Sequence, residues 1–269
     1  MTDGPDHNDF VTEWEHWHHD HERQLASPHG FLAISGLHWL GLEPERFDDV
    51  PGVWRRDAKG VEVLLGDGEE LVVEGSRVTG HYHFNNVDEH GQRASFGDAM
   101  VEVAQRDGDF MIRPRHPDHE NRTRYVGTPT YPASTEWVAH GTFLPYDEPH
   151  SVTVGASVEG LAHVFESSGE VEFELLGQTL RLIAFNEEQS DELSFIFADL
   201  TSGVTTYPAC RFLTVVGPRE NGRVDLDFNR ATNPACAYTD FATCPLPPPG
   251  NHLSVRVEAG ETMPLESHS

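Results

Sequence analysis

Lysine is almost missing. Lys59 is the only one in 269 residues, and 18 basic side chains face 45 acidic ones for a formal charge of −27. A chain with no basic stripe cannot track phosphates, which excludes nucleic acid as a partner. The same excess repels itself in dilute buffer, whereas at molar salt the Debye length falls to about 3 Å and screens the repulsion. The composition therefore reads as adaptation to a salt-rich cytoplasm. Long hydrophobic runs are missing too: no segment reaches the roughly 20 apolar residues of a membrane-crossing helix. The opening residues, MTDGPDHNDFVTEWEHW, hold neither the basic nor the apolar stretch of a signal peptide. A cytoplasmic location without membrane contact is expected. Three cysteines build no disulfide framework, which fits a reducing compartment. Also missing are a Gly-x-Ser-x-Gly elbow, a Walker loop, a Gly-x-Gly-x-x-Gly turn and a His-Glu-x-x-His helix. Their absence excludes the common hydrolase and nucleotide machines. No cofactor or metal is expected, and nothing sets an oligomeric state.

What is present is β-forming sequence behind one helix, and an aromatic content of 10% argues against disorder. Asp9 can cap a helix whose Phe10, Trp14, Trp17 and Leu25, with His21 between, recur at helical spacing. His16, His18, His19 and Asp20 are assigned to its other faces. Solvation is the plainer reading of that tract, because a metal site needs convergent, supported ligands. Pro28-His29-Gly30 ends the helix, and FLAISGLHWLGLE follows as a buried segment anchored by Trp39. From Gly52 to about Ile112, period-two runs separated by Gly-Asp turns predict an antiparallel meander. His81 and His83 share a face there without an evident third ligand.

Arg113, Arg115, Arg122 and Arg124 concentrate scarce positive charge in one loop between residues 113 and 137. They pair with carboxylates of the second lobe or receive an anionic ligand. Beyond Trp137 a second run of alternating strands is too long for a comfortable open sheet, so a closed or nearly closed barrel or a sandwich is expected. The fold class is thus mainly β: an N-terminal helix, then two antiparallel β lobes, the first sandwich-like and the second barrel-like. The boundaries fall at 1–45 (helix and aromatic segment), 46–134 (first lobe with the arginine loop), 135–262 (second lobe) and 263–269 (tail).

Residues 225–261 concentrate unusual chemistry. Asp225, Asp227 and Asn229 alternate with Leu226 and Phe228 on a strand. Asn233-Pro234, Cys236 and Cys244, a proline-rich CPLPPPGN brace with Asn251 at its turn, and a closing strand follow. The thiols have three readings: packing, a metal or redox pair, or catalysis. Packing needs nothing extra, and no residue nearby marks a lowered thiol pKa. The run DFNRATNPACAYTDFATCPLPPPGNHL, with TYPACRFL before it and AGE after it, resembles the C-terminal motif of domain of unknown function 1684. GFLAISGLHWL and IRPRHPD are similar to weaker N-terminal patterns of that family. The resemblance implies an intracellular bacterial or archaeal β-rich protein and supplies no activity. Cys210 departs from it, since the family usually carries a small residue there.

Three functions remain open. A binding module would hold a small anionic or polar ligand, in the second lobe or between lobes, through Arg113, Arg124, Tyr207, Arg211, Asn229 and Asn233. A hydrolase would use Asp225 or Asp227 as general base. A structural or assembly protein would have no pocket. Arg211 is the sharpest of these residues. If β-pairing across Gly217–Gly222 buries it near Asn229 or Asn233, its guanidinium needs an internal carboxylate or a ligand anion.

Overall fold

A computed structural model describes residues 7–186 and 190–265; residues 266–269 of the expected tail lie outside them. The chain begins with helix α1 (His7–Leu25). Trp14 and Leu25 are its buried positions, flanked by half-buried Trp17, His18, His21 and Glu22. One expectation changes here. His18 stands one turn from both Trp14 and Glu22 and so shares the inward face, while His16, His19 and Asp20 are exposed.

The chain divides into two compact units, one of residues 23–126 and 239–242, the other of 1–22, 127–238 and 243–269. The first unit carries β1 (His38–Trp39), β2 (Glu45–Arg46), β3 (Val53–Arg56), β4 (Gly60–Leu64), β5 (Leu71–Val73) and β6 (Ser76–Val78). It continues with β7 (His81–Asn85), β8 (Gln92–Phe96), β9 (Ala99–Arg106), β10 (Asp109–Arg115) and a single turn of helix, α2 (Glu120–Thr123). The strands form two antiparallel sheets, ordered β1-β10-β9-β8-β5-β6 and β2-β3-β4-β7. Trp54 and Phe84 from one and Leu71, Val101, Val103 and Ile112 from the other share one core, which makes the unit sandwich-like. Trp39 is not the anchor: it is 38% exposed, and Trp54, at 0%, fills that role. The arginine loop is corrected as well. Arg113 and Arg115 are the inward residues at the end of β10, where Glu102 of the adjacent β9 receives both.

The second unit carries β11 (Val138–Gly155), β12 (Ala162–Leu175), β13 (Gln178–Asn186), β14 (Glu192–Phe197), β15 (Arg211–Val216) and β16 (Arg223–Asp227). Runs expected as separate strands merge into the long β11–β12 pair, which absorbs the break as a register shift between Pro145 and His150. The order β15-β14-β13-β12-β11-β16 places the two chain-consecutive strands at opposite edges, so the antiparallel sheet wraps into a nearly closed barrel. Its core joins Phe173, Leu182, Phe195, Leu213, Leu226 and Phe228 to Leu253, Val255, Val257 and Ala259.

Those last residues were expected to form a closing strand. They alternate buried and exposed as a strand would, yet residues 253–259 join no ladder. Side chains and isolated backbone bonds hold them instead. Asn251 does more than turn the chain: its amide bonds Ile183 N (2.7 Å), Ile183 O (3.1 Å) and Ile196 O (2.9 Å), tying the segment to β13 and β14. Among the described residues no helix is long and apolar enough to cross a membrane.

Candidate functional site

The barrel stays open at one seam. Strands β15 and β16 are not hydrogen-bonded to each other, contrary to the expected hairpin pairing. Among the described residues, only Phe212 and Thr232 bridge this edge, by backbone bonds of 2.8 and 2.9 Å. Because side chains alternate on a strand, Leu213, Val215, Val224 and Leu226 fill the core while Thr214, Arg223, Asp225 and Asp227 look outward along the seam. A groove of about 830 Å³ runs there, with Trp17 and His21 of α1 on its wall.

Its polar lining is organised by two carboxylates. Asp225 accepts from Arg219 Nη2 at 2.6 Å, from Arg223 Nε at 3.0 Å and from His140 Nδ1 at 2.6 Å. Partial burial pushes its pKa up, but these neighbours outweigh it and the pKa ends below the usual carboxylate range. Asp227 Oδ1 caps the following turn through Asn229 N (3.1 Å) and Asn229 Nδ2 (2.7 Å), while its Oδ2 accepts from Arg230 Nε at 3.2 Å. The Arg230 guanidinium lies 5.3 Å from the centre of the Trp17 ring, so aromatic face and carboxylate fix it together. Three arginines thus line one groove of a chain with 18 basic side chains.

The structure scatters the expected ligand-binding residues. Arg113 is buried in the sandwich-like unit and bonds Glu102 at 2.8 and 3.2 Å. Arg124 is exposed there and pairs with Glu120 at 3.0 Å. In the barrel-like unit Arg211 is 1% exposed and bonds Asp199 (3.3 Å), Val257 O (3.0 Å) and Ala259 O. Tyr207 donates to Cys236 O at 2.8 Å. Asn229 clasps the backbone of Ser134 with both ends of its amide and accepts Trp14 Nε1 at its own carbonyl. Asn233 binds Glu261 and Thr262. Only Asp225 and Asp227 of the expected set line the groove.

The residues missed were Trp17, His21, Arg219, Arg223 and Arg230. One signal for them was in the sequence: Arg223 and Asp225, two apart on a strand, must share a face. All three cysteines are free, with Cys236 N donating to Cys244 Sγ at 3.1 Å. Against expectation, the Cys236 thiol is pulled down to about 7, chiefly by its contact with Cys244, and the Cys244 thiol is pushed up.

Among the described residues, two clusters have metal-ligand chemistry. Ligating atoms of His18, Glu22 and Glu261 lie within 4.8 Å of one another in the barrel-like unit, as do those of Asp57, Glu62 and His83 in the sandwich-like unit. The second supplies His83 with carboxylate neighbours that spacing alone did not reveal.

A sandwich-like β unit and a nearly closed β barrel with an arginine-lined seam define a mainly β protein whose framework carries none of the familiar catalytic motifs. The family described as "Protein of unknown function (DUF1684)" matches residues 123–262, and the chain belongs to it. The match takes in the whole barrel-like sheet and the C-terminal motif, while GFLAISGLHWL and IRPRHPD lie outside it. The chain is also similar to an uncharacterised protein from gene locus rrnAC0354 of Haloarcula marismortui, solved in solution by NMR. That likeness has 29% identity and a TM-score of 0.46, over 54% of this chain and 80% of the other. No curated protein matches.

Proposed function

We propose that the protein binds a small anionic ligand, bearing a carboxylate or a phosphate, in the groove along the β15–β16 seam. The observation that carries this reading is the trio Arg219, Arg223 and Arg230, held in place by Asp225 and Asp227 beside the Trp17 ring. Guanidiniums fixed by carboxylates lose little freedom on binding and present planar forks that match carboxylate and phosphate oxygens. The strongly acidic remainder of the chain disfavours anions elsewhere, which makes this groove selective by contrast. Within this reading the protein works in a salt-rich cytoplasm.

The hydrolase reading receives less support. A carboxylate held charged by two arginines and a histidine is a weak base near neutral pH, so Asp225 acts as the holder of the arginines.

The test is a thermal-shift screen of carboxylated and phosphorylated metabolites against the full chain in molar salt. A hit should raise the melting temperature of the wild type, and Arg223→Ala or Arg230→Ala should abolish the rise. Arg124→Ala, an exposed site in the other unit, should leave it unchanged. No rise with any compound, or a rise indifferent to the groove arginines, would overturn the proposal.

A further inference from the structure

The inward face of α1 meets the C-terminal segment at a cluster whose chemistry exceeds that of an ordinary ion pair. Glu261 is 1% exposed. Its Oε2 accepts from Asn233 N (2.5 Å) and Tyr238 Oη (3.3 Å), whereas its Oε1 has no hydrogen bond. That oxygen faces α1, where His21 Nε2 lies 3.2 Å away without the alignment of a hydrogen bond. His18 Nε2 is likewise buried without a hydrogen bond and sits 3.7 Å from Glu22 Oε1. Buried polar atoms are nearly always satisfied, and two unsatisfied ones beside each other are a signature of a ligand.

We propose that His18 Nε2, Glu22 and Glu261 bind a divalent transition-metal ion, with His21 Nε2 as a fourth donor. Two nitrogens and two carboxylate oxygens suit zinc and its first-row neighbours. The donor atoms of His18, Glu22 and Glu261 lie within 4.8 Å of one another. Tetrahedral coordination with bonds of ~2.1 Å needs about 3.4 Å between donors, a contraction that side-chain rotation supplies.

The surroundings are those of a supported site. Trp14 stacks on His18 with centroids 5.0 Å apart, and Trp17 stacks on His21 at 5.6 Å, so both imidazoles are oriented. The Thr128 N–H donates to the Glu22 carboxylate at 3.3 Å, and Thr128 Oγ1 meets Tyr238 Oη at 2.8 Å, so the carboxylates are braced from behind.

Charge gives the same answer. Two carboxylates at this spacing repel. A dication held between them neutralises both. His21 also lines the arginine groove, so the ion would stand at the groove's wall, although the site does not depend on what the groove binds.

The experiment loads chelator-stripped full chain with zinc, and separately with manganese, at slightly alkaline pH in molar salt. Bound ion is measured by equilibrium dialysis with elemental analysis. His83→Ala serves as the background chain, to remove the cluster in the other unit. One ion per chain is expected for at least one of the two metals, weakened about 10-fold or more by His18→Ala and by Glu22→Gln. The exposed double variant His16→Ala/His19→Ala should bind as the background does. His18→Ala is the decisive change, because that nitrogen holds no protein group and its loss leaves the far-ultraviolet circular dichroism intact. X-ray absorption of the zinc-loaded chain should show a mixed nitrogen and oxygen shell. Neither metal bound, binding indifferent to His18→Ala, or binding lost with His16 and His19 would each overturn the proposal.

Discussion

Arg211 is a full positive charge at 1% exposure, and its partners decide what it is for. Asp199, itself bonded by Val257 N at 2.6 Å, receives the guanidinium at 3.3 Å, and the carbonyls of Val257, Ala259 and Glu261 accept from its Nη atoms. The Phe197 ring lies 5.2 Å from it. Arg211 therefore fastens the C-terminal segment into the barrel. Arg211→Ala should destabilise the protein by about 3–5 kcal/mol, read by denaturant titration in molar salt, because Asp199 is left buried and unpaired. Any bound anion in the seam groove should keep its affinity at temperatures where the variant is folded.

Glu102 makes the corresponding prediction in the other unit. Burial pushes its pKa up, but Arg113 and Arg115 prevail and hold it at about 2, against an ordinary 4.5. The pair-stabilised state is fully present above pH 4.5 and is lost as pH falls toward 2. The difference is worth about 3 kcal/mol. Stability measured across that window should drop less in Glu102→Gln, which starts lower at neutral pH, than in the wild type, the difference between the two drops being this contribution. The need of Arg113 and Arg211 for compensation was legible in the sequence, because a scarce charge on an apolar strand cannot be left bare. The identity of the partners was not. Asp199 lies 12 residues before Arg211, and three of the four bonds of the Arg211 side chain go to backbone carbonyls, which carry no mark in a sequence.

At the scale of elements, period-two alternation located most strands, since a half-buried sheet imposes it directly. Alternation reports burial and not pairing, which is why residues 253–259 mimicked a strand and why β15 and β16 were expected to pair. Turns were clearer. Among the described residues, three hairpins close through two-residue loops with both φ angles positive: Glu74–Gly75 (50° and 77°), Asp107–Gly108 (48° and 86°) and Leu176–Gly177 (52° and 73°). This geometry matches strand twist and favours Asn or Asp at the first position. Leu176 is the misfit, a branched side chain in a left-handed conformation and 62% exposed. Leu176→Asn should raise stability by about 1 kcal/mol, seen as a higher denaturant midpoint with an unchanged slope.

For the molecule as a whole the dominant quantity is its charge of −27. Most arginines named above are committed to local carboxylates, so the surplus acid is uncompensated. Raising potassium chloride from 0.1 M to 1 M shortens the Debye length from about 10 Å to about 3 Å, and the melting temperature should climb over that interval. A melting temperature flat in salt would remove the salt-adaptation reading. The site was less legible than the fold for a reason of the same scale. The seam groove is assembled from α1, β15 and β16, elements about 200 residues apart, and no local spacing announces such convergence.

The threaded segment also has a history in time. A ribosome delivers β11 to β16 before it delivers Leu253, Val255, Val257 and Ala259, which complete the core those strands enclose. Until they emerge, the nascent sheet holds apolar side chains with nothing to cover them, and Asp199 and Arg211 lack the Val257 and Ala259 backbone that completes their bonding. The barrel-like unit thus completes its fold only after the C-terminal segment is synthesised, and the interval before that is when a chaperone or a protease would meet it.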